Sequence, residues 1–123
     1  MGTGFENGVR LFNDGAFWEA HEAWEGEWLR RPKGSDERRF YQGLIQLAAA
    51  LLHRERAKAA PARSVAPALR CYRSAMAKLD GLPARMHGVD VATVRREAAA
   101  CFAPLEAGAD AATWPPTLRL EVR

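Results

Sequence analysis

Cysteine, β-branched residues and long uncharged runs are all scarce in this sequence, and each scarcity removes a class of protein. The two cysteines, Cys71 and Cys101, have no CxxC spacing and no second pair to join. Neither a disulfide framework nor a zinc knuckle fits, and reduced, buried thiols are expected. The longest stretch without Asp, Glu, Lys or Arg is Phe40–His53, interrupted by Gln42 and Gln46. That is too short to cross a bilayer, so no membrane span is expected. The opening MGTGFENGVR lacks the basic segment, apolar run and cleavage site of a secretion signal, which makes the cytosol the expected location. No glycine-rich phosphate loop, nucleophile elbow or Cys/His catalytic pair occurs. Nucleotide-dependent and acyl-transfer chemistry are disfavoured accordingly.

What is present suits helices. The 123 residues correspond to one domain spanning 1–123, and 48% hydrophobic with 27% charged residues is enough to bury a core. Alanine occurs 24 times and no segment alternates with period two, so the fold class expected is all-α, with no sheet. A first helix is expected over Phe5–Asn13, closed by Asp14-Gly15, with Asp14 capping a second helix over Ala16–Arg31. Pro32-Lys33-Gly34 ends the second helix, and Ser35 or Asp36 caps a third that reaches at least His53 and at most Lys58. Pro61 and Pro67 break the chain, so a fourth helix is expected from Ser64 or Ala68 to Leu79. Asp90 caps a fifth that ends between Pro104 and Ala107. Residues 108–123, with Trp114-Pro115-Pro116, read as an extended C-terminal tail, laid on the bundle or left mobile. Five helices with short connections imply an antiparallel helical bundle with helix-hairpin packing.

Charge is distributed unevenly. Residues 1–37 carry four basic and eight acidic groups, residues 38–79 nine and one, and residues 80–123 five and six. The basic middle, with Arg54, Arg56, Lys58, Arg63, Arg70, Arg73 and Lys78, raises a nucleic-acid reading. Fifteen of the eighteen basic residues are arginine, a bias that with abundant alanine accounts equally well for the patch. Nucleic acid is therefore not the favoured partner.

Projected at about 100° per residue, the second helix gathers Phe17, Trp24 and Trp28 into one arc with His21 inside it and Glu25 beside it. The third helix places Phe40, Leu44, Leu47 and Leu51 on one side and stacks Gln42, Gln46, Ala49 and His53 on another. A solvated face of nearly four turns would normally carry Lys or Glu, and this one has neither. The two helices should pack antiparallel, bringing the Gln/Gln/His stripe towards His21 and Glu25.

Two blocks carry a family resemblance. FNDGAFWEAHEAWEGEW (residues 12–28) and RRFYQGLIQLAAALLH (residues 38–53) resemble the bacterial and archaeal "domain of unknown function 309" proteins. The matched positions are Glu19, His21, Glu22, Glu25, Trp28, Gln42, Gly43, Gln46 and His53. Where that family tends to have a tight Gly-Asn turn after the histidine, this chain has the longer stretch Ala57–Pro67. The resemblance implies an all-helical fold with a shared polar cluster, and no reaction.

Several constellations compete for that cluster. His21, Glu25 and His53 would form a two-histidine, one-carboxylate set for a divalent metal; the plainer account is a buried hydrogen-bond network that fixes helix register. HEAWE begins like the HExxH metalloprotease motif but has Glu25 in place of the second histidine. Di-iron bundles need Glu-x-x-His on two helices, and here Glu19 is followed three residues later by Glu22. Gly8, Gly15, Ala20, Trp24 and Pro32 echo one tetratricopeptide repeat, and Ala68, Tyr72 and Ala75 part of another, which suggests a scaffold for a protein partner. The reading adopted is non-catalytic binding of a small polar ligand or divalent metal in a pocket between the second and third helices. Its residues are His21, Glu22, Glu25, Trp28, Gln42, Gln46 and His53. A tetratricopeptide-like interaction scaffold with a purely structural polar cluster is the alternative, and a homo-oligomer fits either.

Overall fold

Three of the five helices begin where a short polar side chain supplies the first acceptor. In a computed structural model describing residues 3–123, Thr3 Oγ1 accepts from the Glu6 amide (3.1 Å) to open α1, Gly4–Asn13. Ser35 Oγ accepts from the Arg38 amide (3.1 Å) to open α3, Asp36–Ala57, and Asp90 Oδ1 accepts from the Thr93 amide (3.0 Å) to open α5, Val91–Glu106. Two expectations need correction. Asp14 is the C-cap of α1 and not the cap of α2, Phe17–Arg30, which begins after Ala16 with no side-chain cap. Helix α4 runs Pro61–Leu79, starting before Ser64. Proline in the first turn sacrifices no hydrogen bond, because the N–H it lacks would have had no partner there. Pro67 is then carried inside the helix.

Between α4 and α5 the chain forms a two-stranded antiparallel hairpin, β1 (Arg85–Met86) with β2 (Val89–Asp90). The expectation of no sheet fails here because strands of two residues cannot show a period-two pattern. The turn is His87-Gly88, which take φ of 50° and 79°, the left-handed pair such a tight hairpin demands.

The helices pack as antiparallel neighbours. Along α1 and α2, Gly4 lies against Glu27, Gly8 against Trp24, and Phe12 against Phe17. Gly8 is required: a Cβ there would sit 2.1 Å from the Trp24 indole nitrogen, which is held by donating to Phe5 O at 3.2 Å. Along α3 and α4, Arg39 reaches Asp80 O, Gly43 meets Leu79, and His53 feels the charge of Arg70. Helix α3 is the centre of the molecule, burying Phe40, Tyr41, Leu44, Leu47 and Leu51.

The C-terminal segment is laid on the bundle. Leu118 and Leu120 are buried, and the Asn13 carboxamide brackets Leu120, donating to its carbonyl (3.0 Å) and accepting from its amide (2.8 Å). Arg54, fully buried on α3, donates to Cys101 O (3.2 Å) and to Pro115 O, with its guanidinium 5.4 Å from the Trp114 ring. Among the described residues no helix is long and apolar enough to cross a membrane.

Candidate functional site

Two neighbours leave part of α3 uncovered. Its α2 side is marked by Arg38, stacked 4.6 Å over the Trp28 ring, and its α4 side by Gly43 and Arg39. Between those directions lies the stripe Gln42, Gln46, Ala49 and His53, partly exposed along its whole length. The stripe forms the floor of a groove. One wall comes from α2, the helix that carries His21, Trp28 and the exposed Glu25. The other comes from α4, where Lys78, Ser74, Cys71 and Pro67 share one face and are likewise half-buried.

The α2 wall is organised by stacking. Trp18, 53% exposed, lies parallel to His21 with ring centroids 5.1 Å apart and an interplanar angle of 7°. His21 Nε2 stands 3.7 Å from Glu25 Oε2, one turn away. Among the described residues, four buried polar atoms have no hydrogen-bond partner: His21 Nδ1 and Trp28 Nε1 on α2, Gln46 Oε1 on α3, and Arg95 Nε on α5. Each such atom costs about 1–3 kcal/mol when nothing satisfies it. The anticipated network of mutual hydrogen bonds is therefore not formed by these atoms.

The metal triad is not assembled. Among the described residues no three His, Cys, Asp or Glu side chains are grouped to hold an ion. Helix geometry gives the reason: His53 lies two turns beyond Gln46, about 10 Å along the axis, which carries it past the stretch of α3 that faces His21 and Glu25. Its surroundings are also cationic. Burial, followed by the charges of Arg56 and Arg70, holds the His53 imidazole below its ordinary pKa. Glu22, also expected at the site, is exposed on the outer side of α2. Of the expected residues, Gln42, Gln46 and His53 thus share one partly exposed face of α3, His21 and Glu25 stand 3.7 Å apart on α2, and Trp28 meets α3 through Arg38.

Several contributors escaped the sequence reading. Trp18 and Arg38 were not singled out there. Lys78 was counted only in the basic middle. That middle is not a continuous stripe: Arg54 is buried, Lys58 pairs with Glu55 at 3.0 Å, and Arg73 pairs with Glu106 at 3.4 Å. The thiols are free. Cys101 is buried and Cys71 half-buried, and burial raises both pKa values, which makes them poor nucleophiles.

At the end of the groove nearest the α2–α3 turn the surface sinks into a concavity of about 200 Å³. Lys33, Ser35, Arg38, Arg39, Gln42 and Lys78 line it.

The fold is that of a small all-α protein whose central helix carries a partly exposed polar stripe. Residues 5–65 match the family described as a domain of unknown function (DUF309), a span covering α1 to α3 and the first turn of α4. The chain belongs to that family. No protein of curated function matches it.

Proposed function

We propose that this protein binds a small polar ligand, without catalysis, in the groove above α3. The observation that carries the reading is the set of unpartnered buried atoms His21 Nδ1, Trp28 Nε1 and Gln46 Oε1. Together they offer an indole donor, a carboxamide acceptor and an imidazole nitrogen able to serve as either. A ligand that meets them recovers interactions the free protein lacks, and the stacked Trp18 supplies a flat apolar edge for its less polar part. His21 and Glu25 are a conceivable acid–base pair, but no nucleophile stands beside them, so binding and not turnover is the reading adopted.

The test is native mass spectrometry with elemental analysis on untagged protein purified without added metal. The expected result is a retained non-covalent mass that Gln46→Leu loses while its circular dichroism is unchanged. If neither protein retains a mass and Gln46→Leu melts higher than the parent, the unpartnered carboxamide is only a cost and the reading fails.

A scaffold for a protein partner is the competing reading. It draws on Trp18 and Leu29, 53% and 61% exposed, which lie three turns apart on one stripe of α2. Concentration-dependent self-association abolished by Leu29→Glu would favour it.

A further inference from the structure

The concavity at the α2–α3 turn differs in charge from three others on the molecule, each of which has at least one carboxylate in its lining. Four of its lining residues, Lys33, Arg38, Arg39 and Lys78, are cations, and no carboxylate lines it. Most acidic groups nearby are engaged elsewhere: Glu27 with Arg30 and Arg31 at 3.3 and 3.0 Å, Glu37 with Arg31 at 2.8 Å and Asp80 with Arg95 at 3.5 Å, while the exposed Asp36 stays outside the lining. Among the described residues, none of the four lining cations lies within ion-pair distance of a carboxylate.

Two of them are also fixed in place. Arg38 Nη1 donates to Arg31 O at 2.9 Å while its guanidinium stacks on Trp28. Arg39 Nη2 donates to Ala77 O (3.1 Å) and Asp80 O (2.6 Å) at the end of α4. Each guanidinium has five N–H donors, so these anchors position the groups and leave further donors for a ligand. Backbone carbonyls orient the charge without neutralising it, and a group held this way loses little freedom on binding. Ser35, the N-cap of α3, places the positive end of a 22-residue helix at the same spot, partly offset by Asp36 and Glu37 in its first turn. Gln42 belongs to both the concavity and the groove floor.

We infer that this concavity is an oxyanion site that takes the phosphate group of a small phosphorylated ligand, Lys33, Arg38, Arg39 and Lys78 supplying the charge and Gln42 marking where the ligand enters the groove. The anion assignment stands on the concavity alone; that the rest of the ligand lies along Gln46 rests on the binding reading above. Charge count selects phosphate over carboxylate, since four cations suit a dianion with several acceptor oxygens better than a monoanion with two. Shape selects a small molecule over nucleic acid. The cations converge on one hollow instead of following a track, and two other members of the basic middle, Lys58 at the opposite end of α3 and Arg73, are already paired.

Amide NMR spectra of the isotopically labelled full chain, titrated with inorganic phosphate, acetate and chloride at matched ionic strength, test this. The expected result is saturable movement of Ser35, Gln42 and Lys78 with phosphate and binding about tenfold weaker for acetate. A Lys33→Gln/Lys78→Gln variant should weaken phosphate by about tenfold or more; neither lysine makes a side-chain hydrogen bond that the fold depends on. Equal movement with chloride, or unchanged phosphate affinity in that variant, overturns the inference. Tighter binding of a duplex oligonucleotide, moving Arg56, Arg63 and Arg70 as well, overturns it in favour of a nucleic-acid surface. If phosphate binds here while Gln46→Leu alters no retained ligand, the anion site survives and the groove reading falls.

Discussion

Helix α3 presents polar side chains in two directions, and their fates are opposite. On the side facing the C-terminal segment, Arg54 is completely buried, yet its guanidinium is bonded to the Cys101 and Pro115 carbonyls and stacked against Trp114. On the groove side, Gln46 Oε1 and the facing His21 and Trp28 nitrogens are buried with no partner in the protein. Burial of a polar group is therefore not in itself a sign of function. The satisfied group is architectural, because the chain supplies what it needs; the unsatisfied ones are candidates for recognition, because the chain does not.

The sharpest way to break this comparison is at Arg54. Arg54→Met keeps most of the side-chain volume but strips the part-buried Pro115 carbonyl of its guanidinium donor, removes the second donor from the Cys101 carbonyl, which keeps its helical bond, and releases Trp114. The expected loss is about 2–4 kcal/mol, read as a fall in Tm of roughly 10 °C. Trp114 fluorescence should shift towards that of exposed indole. A melting point unchanged within about 1 °C would show that Arg54 does not hold the segment.

Arg54 also shows why half of the comparison was hidden in the sequence. It reads there as one member of a basic run, since its acceptor Pro115 is 61 positions away and no local pattern announces the pairing. The helices themselves were legible, because caps and turns are local: Ser35, Asp90 and the Asp14-Gly15 turn lie where the chain changes direction. The start of α4 was not, because proline both breaks helices and begins them, and only packing decides which at Pro61. The groove floor was legible as an uncharged stripe on α3. Its boundary was not: the relative register of α2 and α3 leaves His53 beyond His21 and Glu25, and composition does not encode that register.

A smaller effect, of opposite sign, sharpens the other half. Gln46→Leu removes a buried acceptor that has no donor, so thermal unfolding of the free protein should be unchanged or raised by up to about 1 kcal/mol. An architectural glutamine would behave like Arg54 and lower stability when replaced. A loss of about 1 kcal/mol or more in the ligand-free protein would therefore move Gln46 into the architectural class and erase the distinction between the two sides of α3.

The mildest perturbation uses protons. His53, at the end of the groove, is held below its ordinary pKa chiefly by burial and then by Arg56 and Arg70. The unfolded chain consequently binds a proton more readily there than the folded one. Its contribution to stability is complete above the unfolded value of about 6.5, and it is lost as pH falls through that value towards the lower folded one. Partial exposure keeps the effect small. Melting temperatures followed from about pH 7 to 5 should decline more steeply in the parent than in His53→Gln, which cannot titrate in that range. Parallel declines would show that His53 is as well solvated folded as unfolded, and would remove the far end of the stripe from the set of groups that α3 leaves uncompensated.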